Sequence, residues 1–345
     1  MHGQRIHVRH APKTDSYPRY AVLPRPPMTG IVVCIPVFDD WDCVLELVNK
    51  LDRAARDWGE RASVLVVDDG SKSAMPHSLA RRPEFLSRIN VLRLRRNVGH
   101  QRAIALGLAY IHANWVCDYV VVMDGDGEDA AEDIGKLLDS CRDNDDDMVI
   151  FAKRAKRSEG LAFRAGYRAF RIVHRFLTGR SVEVGNFSAI PYALLDRVVG
   201  VSEIWNHFAA GIYHARLPVR TVPIERSVRL RGRSKMNLVS LVSHGMSAIS
   251  VYGDVVGVRL LWLTSALSVM VLAGLIAVVG LRLLTTLAIP GWATTAAGLL
   301  AVVLLNFLLL SMVFVLFILH GRNIEGFVPV RDWHCYVLRV DSLHG

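Results

Sequence analysis

The chain has 345 residues, with 41 Lys and Arg against 32 Asp and Glu, for a net charge of +9. A length that would ordinarily give two soluble domains does so poorly here, because Leu, Val and Ala crowd into the last third. The basic excess falls mainly at 153–180 and 226–235, near the apolar stretches in chain order, which suits an anionic membrane surface or phosphate-bearing ligands and not nucleic acid.

Residues 1–29 read as a basic tail without an apolar h-region, so no cleavable secretory signal is expected. From there apolar runs recur at 31–37, 63–67, 90–94, 119–123 and 148–151, the pattern of parallel strands buried on both faces. Helical patterns at 41–58, 99–114 and 130–142 lie between them, giving the β-α-β alternation of a doubly wound α/β sheet. The third has a capping-box arrangement, Asp129 with Glu132 three residues on. The first strand leads into Ile35-Pro36-Val37-Phe38-Asp39-Asp40 with no GxGxxG, and there is no P-loop, which removes dinucleotide-dependent dehydrogenases and P-loop NTPases. Residues 161–177 form a basic amphipathic helix, with Arg164, Arg168, Arg171 and Arg175 at three- and four-residue steps.

Between Arg226 and Lys235 five basic residues stand in a Gly- and Ser-containing loop, and 238–256 is expected to lie along a membrane interface. Residues 260–281 are an apolar stretch of about 22 residues bracketed by Arg259 and Arg282, enough as a helix to cross a hydrocarbon core of roughly 30 Å, and a second such stretch covers 292–319. Two spans return the chain to its starting side. The bias of Arg259, Arg322, Arg331 and Arg339 over Arg282 in the connecting loop puts that side in the cytoplasm. Asn306, mid-span, is expected to be a helix-packing contact, and His207, His214 and His244 lack metal-ligand spacing and are expected to be structural. The five cysteines show no CxxC pair and read as reduced thiols.

In such sheets ligands bind beyond the carboxyl ends of the strands, and here those ends are acidic. The second strand runs into Asp68-Asp69-Gly70-Ser71, the fourth into Asp124-Gly125-Asp126-Gly127-Glu128-Asp129. Alternation along an extended segment would project Asp124, Asp126 and Glu128 the same way, with Gly125 and Gly127 leaving room for a ligand. Three clustered carboxylates repel one another unless a cation lies among them, and hard oxygen donors suit Mg²⁺ or Mn²⁺ bridging a diphosphate. An EF-hand is excluded, because it would need Gly where Asp129 stands and Glu where Gly135 stands.

Taken in order, Ile35-Pro36-Val37-Phe38, Val67-Asp68-Asp69-Gly70-Ser71, Arg96-Asn97-Val98-Gly99-His100 and Asp124-Gly125-Asp126 resemble glycosyltransferase family 2, in its GT-A fold. With Arg231-Gly232-Arg233-Ser234-Lys235 and two terminal spans, the spacing is similar to that of the polyprenyl-phosphate glycosyltransferases related to dolichyl-phosphate mannose synthase and bactoprenol glucosyltransferases. The resemblance implies a GT-A domain over 30–225, its nucleotide-sugar half at 30–152 and its acceptor half at 153–225. A basic loop with interfacial helices at 226–257, a transmembrane hairpin at 258–320 and a cytoplasmic tail at 321–345 would follow. It further implies that Pro36, Asp39 and Asp69 line the nucleotide, and that Asp124 and Asp126 are catalytic and, with Glu128, hold the metal. Arg229, Ser234 and Lys235 would meet the diphosphate, and Lys153, Arg154, Arg157, Arg164 and Arg168 the acceptor side. The chain departs from the family at Glu128, where relatives often carry Gln, and at Asn186, where many carry an acid.

The expectation is therefore an enzyme of the bacterial inner membrane, moving a sugar with inversion from a UDP- or GDP-sugar to a polyprenyl phosphate. Such a chain is compatible with a homo-oligomer. A processive synthase would bring a QxxRW segment and more spans, and neither is present. Transfer to a lipid hydroxyl would require a base that the sequence does not identify, and a non-catalytic nucleotide-sugar-binding membrane protein is the remaining alternative.

Overall fold

A computed structural model of the chain describes residues 30–81, 83–154, 172–179, 184–225, 227, 229–230, 245–285, 291–323 and 326–344. Eight strands, β1 (Ile31–Val37), β2 (Ala62–Asp68), β3 (Leu86–Leu94), β4 (Tyr119–Val122), β5 (Val149–Arg154), β6 (Ser188–Pro191), β7 (Val219–Ile224) and β8 (Val337–His344), form one sheet in the order β7-β5-β6-β4-β1-β2-β3-β8. The β4-β1-β2-β3 centre is parallel, as its unbroken apolar runs predict. Strand β6 is antiparallel to both β4 and β5, so β5 keeps the direction of β4 but is separated from it by a four-residue strand too short to register as an apolar run.

Because side chains alternate across the sheet, each central strand feeds two cores. Val33, Ile35, Val64, Val66 and Val121 pack toward helix α1 (Trp41–Ala55) and helix α3 (Ile134–Arg142). Val32, Cys34, Leu65, Val67 and Val122 pack toward α2 (His100–Asn114), α4 (Tyr192–Val199) and α5 (Phe208–His214). The cysteines are free thiols, and burial pushes Cys34 up to about 12, which keeps it protonated and unreactive.

The capping box before α3 does not form. A 3-10 turn, Ala131–Asp133, precedes the helix without a side-chain cap, and the Asp129 carboxylate instead accepts from the Asp124 N–H at 3.3 Å. Residues 172–178 are helical with Ile172, Val173 and Phe176 exposed, while 161–171 lie outside the described residues.

Helices α6 (Gly253–Leu284) and α7 (Trp292–Asn323) are each long and apolar enough to cross a membrane, and the most apolar window of each is almost wholly exposed on the chain. A soluble-core helix would be buried. They meet through small and polar residues, with Gly257 against Ile318 and Ser311 Oγ donating to Thr264 Oγ1 at 2.8 Å. The expected packing role of Asn306 is overturned: its amide donates to Val302 O of its own helix at 2.8 Å and is exposed, the polar helix contact being Ser311 with Thr264.

The segment expected as a tail at 321–345 is instead part of the α/β layer. Short helix α8 (Pro329–Asp332) leads to β8, which pairs antiparallel with β3, and Arg93 of β3 bonds Asp341 of β8 at 2.5 Å on one side and Asp68 of β2 at 2.9 Å on the other. Phe327 and Tyr336 pack on Trp205, with ring centroids 3.7 and 5.1 Å away.

Candidate active site

The registers Val37 with Asp68 and Cys34 with Val122 align the carboxyl ends of β1, β2 and β4, and the acidic loops open side by side there. Gly125 passes close beneath β1, since a Cβ on it would lie 3.0 Å from Pro36 O. Gly127 turns the chain with φ +76, a conformation L side chains rarely adopt.

Strand β4 ends at Val122, so the alternation on which a three-carboxylate cluster depended does not run on through the acidic loop. Among the described residues no three His, Cys, Asp or Glu side chains group as a metal site. Glu128 is buried, while Asp124 and Asp126 stay partly exposed with separate partners. Asp124 Oδ1 lies 3.0 Å from His100 Nε2 and accepts from Asn186 Nδ2 at 3.1 Å. Asp126 Oδ1 accepts from the Glu128 N–H at 3.0 Å, and its Oδ2 pairs with Arg229 Nη1 at 3.2 Å. The other arm of Arg229 reaches Asp40 Oδ2 at 2.6 Å. The backbone holds the same neighbours, with Ser227 N–H donating to Glu128 O and Leu230 N–H to Asp126 O. Ser227, Arg229 and Leu230 thus lie along the acidic loop.

Asp39 and Asp69 shape the rim. Asp39, at φ 48, accepts from the Lys72 and Ser73 N–H groups and the Ser73 hydroxyl. Asp69 accepts from the Val98 and Gly99 N–H groups at 2.7 and 2.9 Å. Burial raises the Asp69 pKa above the usual carboxylate value, against the lowering effect of those two donors. Around His100 desolvation disfavours the charged ring, but Asp124, with Asp126 and Asp69 behind it, outweighs that and leaves its pKa raised.

Lys153 and Arg154 end β5 on the same sheet edge, two strands from β4 and so roughly 10 Å across the sheet. Arg157, Arg164, Arg168, Ser234, Lys235 and His244 lie outside the described residues. His207 caps α5, its Nδ1 accepting from the Ala210 N–H at 3.3 Å, and His214 packs edge-on against Tyr252, both structural roles. Sequence reasoning missed Asp40 and Gln101 and gave His100 no role. Asp40 carried a signal, as a second acid at a strand end, whereas Gln101 carried none.

Hard carboxylate oxygens on Asp124 and Asp126, partly exposed and flanked by a guanidinium already drawn to negative charge, fit a divalent cation sharing its shell with a diphosphate. Residues 32–198 match the sequence profile of glycosyl transferase family 2. The chain carries a family 2 glycosyltransferase domain. The glycosyltransferase YkcC of Bacillus subtilis is 25% identical over 226 residues, covering 64% of this chain and 67% of that one. Undecaprenyl-phosphate 4-deoxy-4-formamido-L-arabinose transferase of Edwardsiella ictaluri is 26% identical over 249 residues, covering 66% and 72%. In the Klebsiella pneumoniae transferase of the same name the match covers 47% of this chain and 48% of the relative, so the chain spans about half the length of that relative. Among solved structures, glucosyl-3-phosphoglycerate synthase of Mycobacterium tuberculosis aligns at 15% identity and TM-score 0.46, over 66% of this chain and 80% of that one.

Proposed function

We propose that this glycosyltransferase moves a sugar, with inversion, from a UDP- or GDP-sugar to a polyprenyl phosphate at the cytoplasmic face of a membrane crossed by α6 and α7. One observation carries the reading: the Asp124–Asp126 loop at the end of β4 is held against Arg229, on the segment that leads into the apolar hairpin. On this reading the donor site is steadied by a residue that precedes the apolar hairpin in the chain. The undecaprenyl-phosphate transferases among the relatives support the same acceptor class.

When bound, Mg²⁺ or Mn²⁺ supplies Lewis-acid neutralisation of the donor diphosphate. Asp124 and Asp126 are the residues that would hold it. The transition state gathers negative charge on the departing diphosphate, and the two-armed Arg229 guanidinium provides donors where that charge develops, aided by Ser234 and Lys235. Pro36 and the loops ordered by Asp39 and Asp69 line the nucleotide. Lys153, Arg154, Arg157, Arg164 and Arg168 attract the acceptor head group. Asn186 donates to Asp124 and so offers no base. A phosphate monoester, with a second pKa of about 6, needs none at neutral pH, whereas a lipid hydroxyl would.

The test is incubation of the purified full chain with radiolabelled nucleotide-sugars, undecaprenyl phosphate and Mn²⁺ or Mg²⁺, followed by lipid extraction. An acid-labile labelled lipid is expected from one donor. Absence of labelled lipid across the whole donor panel, from protein that remains folded, would overturn the reading.

A further inference from the structure

Behind Asp124 lies a chain of buried amides whose direction is fixed at its far end. At the start of α5 the Phe208 backbone N–H, one of the donors a helix leaves without an internal partner, donates to Gln101 Oε1 at 2.7 Å. A backbone N–H can only donate, so the oxygen of the Gln101 side chain must face it, and the NH₂ must face the other way. That NH₂ donates to Asn186 Oδ1 at 3.1 Å. The same logic then turns the Asn186 NH₂ outward, toward Asp124 Oδ1 at 3.1 Å and His100 Nε2 at 3.0 Å. Amide orientations are ordinarily assigned rather than observed, but here the terminal N–H leaves one consistent assignment. Gln101 and Asn186 are both buried, so neither amide can turn and satisfy itself with water.

We propose that Gln101 is a positioning residue of the transfer site, fixing Asn186 so that its amide donates to Asp124 and holds that carboxylate in its cation-binding orientation. The proposal rests on the reading of Asp124 as a cation ligand given above. It assigns a purpose to the chain's departure from an acidic residue at position 186. A carboxylate there could still accept from Gln101, but its second oxygen would face Asp124 Oδ1 at close to the present 3.1 Å, two acceptors with no hydrogen between them.

The discriminating variant is Gln101→Glu. It keeps the volume and an acceptor for Phe208, but presents an oxygen to Asn186 Oδ1, which drives the Asn186 amide to reverse and turn its oxygen on Asp124. Mn²⁺ binding is read by electron paramagnetic resonance of the full-length protein with the metal alone, beside kcat, KM for the nucleotide-sugar and Tm. The expected result is Mn²⁺ affinity weakened about tenfold and kcat lowered about 10–100-fold. At saturating Mn²⁺, KM should stay within about twofold, because the Asp39 and Asp69 rim loops lie outside the amide chain, a split that loss of packing alone would not give. If Gln101→Glu fails to fold, Asn186→Ser cuts the chain at its other end, leaves the Gln101 bond to Phe208 intact, and should weaken Mn²⁺ equally. Wild-type Mn²⁺ affinity and kcat in a folded variant overturn the proposal, as does a wild-type chain that binds no Mn²⁺. A wild type that binds Mn²⁺ but labels no lipid, with Mn²⁺ weakened in Gln101→Glu, sinks the acceptor assignment and leaves this inference standing.

Discussion

Replacing Arg229 by Met should have opposite effects on cation binding and on turnover. Arg229 joins Asp126 at 3.2 Å and Asp40 at 2.6 Å, and the three side chains keep 17%, 22% and 28% of their exposure. Unit charges about 4 Å apart attract by roughly 4 kcal/mol at an effective dielectric of about 20. Partial exposure, and the hydration each group regains when separated, reduce the net to roughly 1–2 kcal/mol per pair. A cation arriving alone must displace that guanidinium from Asp126, so removing it should tighten Mn²⁺ about tenfold, the equivalent of about 1.4 kcal/mol. Turnover should fall about 10²–10³-fold, because the departing diphosphate loses donors aimed at its developing charge. Arg229→Lys, which keeps the charge but not the fork, should lie between wild type and Met in both. Mn²⁺ titration and labelled-lipid formation on the same preparations separate the two effects. Unchanged or weaker Mn²⁺ binding by folded Arg229→Met would refute the idea that this side chain holds the cation's place.

Asp126→Asn should lower labelled-lipid formation by more than about 10²-fold with Tm preserved, and wild-type activity at saturating Mn²⁺ would show that the acidic loop is not the site. Gly127→Ala must hold φ +76 and would place a Cβ 2.3 Å from Leu230 Cγ, so it should lower Tm by about 2–8 °C in a thermal melt and displace the basic segment. An unchanged Tm would mean that the turn is not needed. The Asp332 carboxylate is held below its ordinary pKa, first by hydrogen bonding to Arg331 and also by the Val328 N–H. A depressed folded pKa means that its stabilisation is full above the ordinary carboxylate range and is lost as pH falls through the folded value. Asp332→Asn should therefore lower Tm by roughly 1–3 °C at pH 7, and the deficit should shrink as pH falls below the ordinary carboxylate range; a deficit that does not shrink in acid would contradict the pairing.

The central sheet was legible because β1, β2 and β4 are buried on both faces, which writes each as an unbroken apolar run. The antiparallel additions were not. Strand β6 has four residues, and β8 is a half-exposed edge strand in which Arg339 and Asp341 interrupt any run. Its partner β3 lies 248 residues away where Arg93 meets Asp341, and no local pattern encodes a pairing of that span. The acidic loop was legible because acids alternating with glycines at a strand end have few other uses. Its exact disposition was not, since β4 ends at Val122 and the loop turns at Gly127 instead of continuing the alternation. The amide chain was invisible for a related reason: Gln101, Asn186 and Phe208 come from three separate segments and become a unit only when helices α2 and α5 pack.

That unit also lies close to the residues that follow the hairpin. Helix α2 carries His100 and Gln101 at the site, while the next residue, Arg102, lies over the Trp205 ring at 5.0 Å. Trp205 stands three residues before Phe208, whose N–H anchors the amide chain, and it is the ring on which Phe327 stacks just after α7. At the other end of the hairpin Arg259, near the start of α6, donates to Phe176 O at 2.6 Å. The residues just before α6 also meet the α/β layer, Ala248, Val251 and Tyr252 packing with Ala210 of α5, while the residues just after α7 meet it at Trp205, close in the chain to the Phe208 N–H that holds Gln101. If α6 and α7 cross a bilayer, two fixed points set the height of Asp124 above it, and a single flexible linker could not. Under the proposed function a lipid phosphate would then be brought to a defined position by the fold itself, which is the entropic part of the work a transferase with a membrane-bound acceptor must do.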